Sequence, residues 1–107
     1  MLCQESVVPL ALIHARAIGL MTMIDSGTLD HKVVAVATQD PEFNGYKEVH
    51  QIPSHHLLMV KRFLQDYKQL EQKAVEVEEI GSAQTAYPVI QAALERYAKK
   101  YARSRAV

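Results

Sequence analysis

The segment MIDSGTLDHK, residues 23–32, contains the side chains whose types and spacing could do chemistry. Asp25 and Asp30 flank a Ser-Gly pair, and Lys32 follows two residues after the second aspartate. The spacing leaves two interpretations open. Asp, Ser and Gly favour turns for local reasons, so the segment could be a solvated hairpin turn. Alternatively, the two carboxylates could supply the hard oxygen ligands that Mg²⁺ takes, with the lysine neutralising a bound phosphate group.

The residues on either side of this segment predict a hairpin that would bring the two aspartates together. They are short apolar runs rich in β-branched residues, which are typical of strands. The two strands would be joined by a tight turn at Ser26-Gly27. Asp25 and Asp30 then lie at the two feet of the connection, and Asp30 and Lys32 point to the same face of the sheet.

Beyond this hairpin the hydrophobic period changes to that of helices. Apolar residues recur at helical spacing over about 54–71, after a possible N-cap at Ser54, and again over about 83–103. The first of these helices is defined by Leu57, Val60, Phe63, Leu64, Tyr67 and Leu70. Alternating apolar and acidic residues at 73–80 predict a half-exposed strand. With the strands expected within 7–38 and 73–80, the chain is predicted to have an α+β fold.

Composition limits the class of protein. The 107 residues are 49% hydrophobic and 22% charged with a formal net charge of zero, which is typical of one soluble globular domain over 1–107. A neutral chain is not expected to bind nucleic acid through a broad cationic face. No stretch reaches the roughly 18 consecutive apolar residues of a membrane span. The single cysteine, Cys3, excludes an internal disulfide framework and fits a cytoplasmic location.

Several other polar residues are unusual for their surroundings. Arg16 lies among apolar strand residues, so its charge must face solvent at an edge or point into a polar cavity. Tyr67 and Lys68 come late in the first helix, where periodicity alone favours a partly buried tyrosine and a solvated lysine. His55 and His56 are adjacent on the same helix and diverge by about 100°, so they are interpreted as surface or subunit-contact residues and not as ligands of one metal ion.

The order of these features resembles the soluble inorganic pyrophosphatases of the Mg²⁺-dependent, β-barrel type, known as family I. The similarity runs from about residue 8 to about residue 100. Its most specific element is the pattern D-x-G-x-x-D-x-K, met here by Asp25, Gly27, Asp30 and Lys32. The other stretches that carry the resemblance are ARAIGLMTMI before the loop, HQIPSHHLLMVKRFLQDYKQLE with its Tyr-Lys pair, and KAVEVEEI.

The resemblance implies a partial OB-like barrel flanked by helices, and it implies roles for particular residues. Asp25 and Asp30 correspond to metal-binding carboxylates, so the expected cofactor is Mg²⁺. The expected substrate-binding residues are Arg16, Lys32, Tyr67 and Lys68. The expected activity is hydrolysis of inorganic pyrophosphate to two phosphates, by a homo-oligomer that has neither nucleic acid nor membrane as a partner.

The chain departs from the family pattern on its N-terminal side. The acidic motif D-x-D-P-x-D and the first barrel strands are not found in it, and Asp40-Pro41 does not reproduce that motif. The family's general base belongs to that part, so no catalytic base is assigned. The chain is expected to be the C-terminal part of a pyrophosphatase. Two functions stay open: a diphosphatase that works with residues outside this chain, and a non-catalytic truncated remnant that binds metal or phosphate weakly or contributes to subunit assembly.

Overall fold

The computed structural model describes residues 1–71 and 75–102 of the chain. The elements in chain order are β1 (Ala15–Asp25), β2 (Thr28–Ala37), α1 (Ser54–Gln69), β3 (Val75–Ser82) and α2 (Ala83–Tyr101), with a 3-10 turn at Val49–Gln51 before α1. The three strands form one antiparallel sheet in the order β2-β1-β3. Within the part of the chain that the structure describes, this sheet is open and does not close into a barrel.

The hairpin between β1 and β2 has the predicted turn. Ser26 and Gly27 form the two-residue loop, and both have positive φ, 52° and 81°. Positive φ at both residues is the conformation of a type I′ hairpin turn, whose twist matches that of the flanking strands. Gly27 adopts it without steric cost, whereas most other residues would be strained there. The turn fixes the register by pairing Asp25 with Thr28.

The two faces of the sheet are covered by different helices. On one face, Ile18, Val36, Val49 and Ile52 form a fully buried cluster, against which Leu57 of α1 packs. On the other face, the apolar side chains of β2 and α2 line a common groove: Leu29, Val33, Val89 and Ile90. Neither α1 nor α2 combines the length and hydropathy of a membrane-spanning helix.

A β-bulge at Ile18 changes which residues of β1 share a face. Ala17 pairs with Ala35 and Gly19 pairs with Val34, so Ile18 is an extra residue in β1. In a regular strand Arg16 and Asp25 would point to opposite faces, because their residue numbers differ by an odd number. Ile18 has no partner in β2, so the bulge reverses the alternation of faces once between Arg16 and Asp25. Arg16 and Asp25 therefore both lie on the face that α1 covers.

The first strand begins later than the sequence predicts. It starts at Ala15, not near residue 7, because a turn interrupts the apolar run. Pro9 has no backbone N–H to donate, Leu10 has a φ of 68°, and the Ala11 amide donates to the Val8 carbonyl. The expected elements also included residues 73, 74 and 103, which lie outside the described residues.

The apolar stripe of α1 is only partly buried. Leu57, Val60 and Leu64 are half-buried, whereas Phe63 and Leu70 are exposed. The open sheet explains this result, because it covers one side of α1 and leaves the flank beyond it in solvent. The outer side of α1 is therefore an apolar surface.

Asp40 has a buried carboxylate that fixes the N-terminal segment to the rest of the fold. It accepts hydrogen bonds from the amides of Gln4 (2.7 Å), Glu42 (2.9 Å) and Phe43 (3.2 Å), and from the Cys3 thiol (3.2 Å). These donors, led by the Gln4 amide, hold the pKa of Asp40 below its usual value even though burial opposes ionisation. Asp40 therefore has a structural role that its place beside Pro41 did not reveal.

Replacing Asp40 with Asn is expected to destabilise the fold. An amide has one acceptor oxygen and would turn an NH₂ group toward some of the donors. The folded-state pKa lies below the unfolded value of about 3.9, so the carboxylate stabilises the fold above that pH and loses its effect as the pH falls through the folded-state pKa. Urea unfolding followed by circular dichroism should show a lower midpoint for Asp40→Asn at pH 7, and the difference should shrink below about pH 4.

The matched control for this experiment is Asp66→Asn. Asp66 forms an exposed ion pair with Arg62 at 3.3 Å, and such pairs contribute little to stability. Its variant should unfold near the wild-type midpoint. An unchanged midpoint for Asp40→Asn at pH 7 would contradict the structural role of Asp40.

Candidate metal and phosphate site

Asp25 and Asp30 lie on the same face of the hairpin. Asp25 pairs with Thr28, and Asp30 pairs with Met23, which makes the two aspartates diagonal neighbours across β1 and β2. Diagonal positions in an antiparallel pair are roughly 7–8 Å apart, within reach of side chains that lean toward one another. The structure therefore brings together the two residues that the sequence singles out as metal ligands.

Each of the two aspartates is paired with a lysine. Lys32 Nζ lies 3.0 Å from Asp30 Oδ2, and Lys68 Nζ lies 3.1 Å from Asp25 Oδ2. The Asp25 hydrogen bond is the main cause of a raised pKa at Lys68, against the opposing effect of partial burial. Lys68 is therefore charged at neutral pH, and two cations stand beside two carboxylates at one end of the sheet.

Tyr67 and Lys68 have different environments at the end of α1. Lys68 reaches inward to Asp25, whereas the Tyr67 ring is about half exposed and stacks on Phe63 with centroids 6.0 Å apart. Lys68 Nζ lies 5.9 Å from the centroid of the Tyr67 ring. The structure therefore places Lys68 against the Asp25 carboxylate and Tyr67 beside Lys68 on the outer surface. This reverses the pattern that periodicity alone favours, in which the tyrosine is the more buried of the two.

Arg16 lies on the same face as the aspartates but at the far end of the strands. It pairs with Val36, which is six residues from Asp30 along β2, a distance of roughly 20 Å. Its guanidinium donates to the carbonyl oxygens of Asn44 (2.9 Å) and Tyr46 (3.0 Å). The structure therefore uses Arg16 to hold the loop before α1 and does not bring it to the two aspartates.

The available ligands suit a metal ion with an incomplete protein shell. Among residues 1–71 and 75–102, no three His, Cys, Asp or Glu side chains are grouped closely enough to hold a metal ion. Asp25 and Asp30 supply two carboxylates. Mg²⁺ fits this donor set because it usually takes one or two protein carboxylates and completes its octahedral shell with water and phosphate oxygens.

Glu71 belongs to this cluster although sequence reasoning missed it. Glu71 lies just beyond the end of α1, and its Oε2 is 3.8 Å from Lys68 Nζ. The spacing Lys68-x-x-Glu71 is the signal that could have identified it, because residues three apart are neighbours on a helix. The sequence could not indicate that the same lysine also contacts Asp25, because that contact joins elements far apart in the chain.

The sequence of this chain is similar to those of known proteins. A family model described as inorganic pyrophosphatase matches residues 1–98. The soluble inorganic pyrophosphatase of Zea mays is 45% identical over 98 residues, which cover 92% of this chain and 46% of the relative. Soluble inorganic pyrophosphatase 2 of Chlamydomonas reinhardtii is 41% identical over 100 residues, which cover 94% of this chain and 52% of the relative. The chain thus spans about half the length of the curated relatives it matches.

Solved structures confirm the α+β fold. The crystal structure of the inorganic pyrophosphatase from Thermus thermophilus superposes with a TM-score of 0.82 at 24% identity, over 90% of this chain and 57% of that one. The crystal structure of an inorganic phosphatase from Anaplasma phagocytophilum gives a TM-score of 0.76 at 32% identity, over 84% of this chain and 54% of that one. The strands and helices described above therefore recur in larger chains.

Proposed function

Because the chain belongs to the inorganic pyrophosphatase family, we propose that it carries part of the site of a Mg²⁺-dependent hydrolase that splits inorganic pyrophosphate into two phosphates. One observation carries the proposal. The two carboxylates of the D-x-G-x-x-D loop share a sheet face with each other, and each has a lysine within 3.1 Å. Carboxylates next to cations suit a substrate that presents both bound metal ions and phosphate oxygens.

The proposed roles follow from the charge and position of each side chain. Asp25 and Asp30 would hold Mg²⁺, with a separation set by the register of β1 and β2. When bound, the metal would neutralise charge on the substrate and act as a Lewis acid. Lys32 and Lys68 would stabilise charge on the phosphoryl oxygens, because each ammonium group lies beside one of the proposed metal-binding carboxylates.

The remaining site residues are proposed on family resemblance, and the geometry supports them less directly. Tyr67 would contact phosphate next to Lys68. Arg16 would contact phosphate only after its guanidinium breaks its hydrogen bonds to the carbonyl oxygens of Asn44 and Tyr46. We assign the general base to a segment outside these 107 residues.

We propose that a segment outside these 107 residues also completes the sheet and the site. Two observations support this: the chain covers 46% of the maize relative, and the sheet that the described residues form is open. The proposal includes a cytoplasmic location, since the relatives are named soluble pyrophosphatases. It also includes a homo-oligomer, which the apolar outer side of α1 supports and which sedimentation equilibrium can test.

Mn²⁺ binding to the purified chain tests the proposed metal ligands. Mn²⁺ suits the same carboxylate ligands as Mg²⁺ and can be followed by electron paramagnetic resonance. Asp25→Asn and Asp30→Asn should each weaken Mn²⁺ binding by about tenfold or more. Replacing a residue that only hydrogen-bonds to a metal ligand already weakens metal binding by that factor. Lys32→Ala should leave binding equal or tighter, because it removes a cation that competes for Asp30.

The control variant is again Asp66→Asn, which removes an exposed α1 carboxylate that is paired with Arg62, and it should bind Mn²⁺ like the wild type. Wild-type affinity in both Asp25→Asn and Asp30→Asn would overturn the assignment of these residues as metal ligands.

A further inference from the structure

Lys68 lies between two carboxylates that come from different elements. Asp25, at the end of β1, is 3.1 Å from its ammonium group, and Glu71, after the end of α1, is 3.8 Å away. The Lys68 and Asp25 side chains are each 18% exposed, whereas Glu71 is 42% exposed. The Glu71 amide donates to the Lys68 carbonyl at 3.1 Å, so the turn that ends α1 keeps the two residues adjacent.

The contact between Lys68 and Asp25 conflicts with the proposed role of Asp25. A divalent cation and an ammonium group repel one another, and they would compete for the same carboxylate oxygens. When Asp25 holds a metal ion, Lys68 therefore loses its closest partner. Glu71 lies outside the D-x-G-x-x-D loop and on the same chain segment as Lys68, so its contact does not depend on Asp25.

We propose that Glu71 is a positioning residue, which keeps the Lys68 ammonium at the edge of the metal site when Asp25 is occupied. This inference rests on the proposed function, because it takes Asp25 as a metal ligand. A lysine side chain has a flexible four-carbon stem and many rotamers. The Glu71 carboxylate restricts those rotamers and leaves the ammonium group directed at a phosphate group that binds beside the metal.

The test is binding of inorganic phosphate to the 107-residue chain, measured by titration calorimetry with and without saturating Mg²⁺. Glu71→Gln should weaken phosphate binding in Mg²⁺ by about twofold to fivefold, the range for a partly exposed ion pair. Without Mg²⁺ it should have no effect, because Lys68 is then held by Asp25. Mn²⁺ affinity should stay at the wild-type value, and Glu71→Asp should restore part of the phosphate affinity.

A control and the possible outcomes separate this inference from the proposed function. Glu95→Gln removes the same charge from α2, on the other face of the sheet, and should change neither measurement. Wild-type phosphate affinity of Glu71→Gln in Mg²⁺, or an equal loss with and without Mg²⁺, overturns the positioning role only. If Asp25→Asn leaves metal binding unchanged and Lys68→Ala leaves phosphate binding unchanged, both proposals fail.

Discussion

The 107-residue chain is expected to release phosphate from pyrophosphate at less than about a tenth of the rate of an intact relative, such as the soluble pyrophosphatase of Zea mays. A tenfold difference corresponds to about 1.4 kcal/mol of barrier. Asp25 and Asp30 share one face of the sheet, and the proposal assigns the general base to a segment outside the chain. General acid–base catalysis alone contributes about 10²-fold to 10⁴-fold. Phosphate release at saturating Mg²⁺ is the measurement, with both proteins assayed together.

The same assay distinguishes the two functions that the sequence leaves open. Joining the chain to the part of the maize relative that it does not match should restore turnover above that of either part. A joined chain that binds metal but stays inactive would favour the non-catalytic remnant. Turnover of the chain alone within about tenfold of the intact relative would show that it supplies the missing groups itself.

In the joined chain, Asp25→Asn and Asp30→Asn should raise the Mg²⁺ concentration needed for half-maximal activity and lower turnover by about tenfold or more. The reason is that a carboxylate acts through metal occupancy. Lys32→Ala should instead reduce activity at every Mg²⁺ concentration, because the positive charge of Lys32 beside the phosphate is still needed after the metal has bound. Steady-state kinetics over a Mg²⁺ titration separates these two patterns.

Rescue by added Mg²⁺ is the discriminating observation for this prediction. High Mg²⁺ should recover part of the lost activity in the aspartate variants and less of it in Lys32→Ala. The control, Asp66→Asn, should follow the parental curve. Parental activity and parental Mg²⁺ dependence in both aspartate variants would mean that the loop is only a turn.

The parts of the fold that could be predicted from the sequence depend on local signals. The turn at Ser26-Gly27 follows from residues that tolerate positive φ, and the hairpin follows from the apolar runs around it. The shared face of Asp30 and Lys32 follows from the two-residue period of a strand. These features need no knowledge of how distant elements pack.

The features that could not be predicted depend on contacts between distant parts of the chain. The Lys68–Asp25 ion pair requires α1 to end above the hairpin turn, which no spacing in the sequence indicates. The exposure of Phe63 and Leu70 follows from the limited width of the sheet, whereas helical periodicity shows only that they lie near one another. Arg16 shares a face with Asp25 only because of the bulge.

The bulge at Ile18 also determines how β1 can differ in length among homologous chains. Removing Ile18 would leave Ala17 and Gly19 paired with the adjacent residues Ala35 and Val34, so Arg16 and Asp25 would stay on one face. The fold would lose the Ile18 side chain, which is buried in the core. Removing any residue between Gly19 and Asp25 would move the side chains on one side of the deletion to the opposite face of the sheet. When a homologue's first strand is one residue shorter, the gap in its alignment to this chain therefore belongs at Ile18.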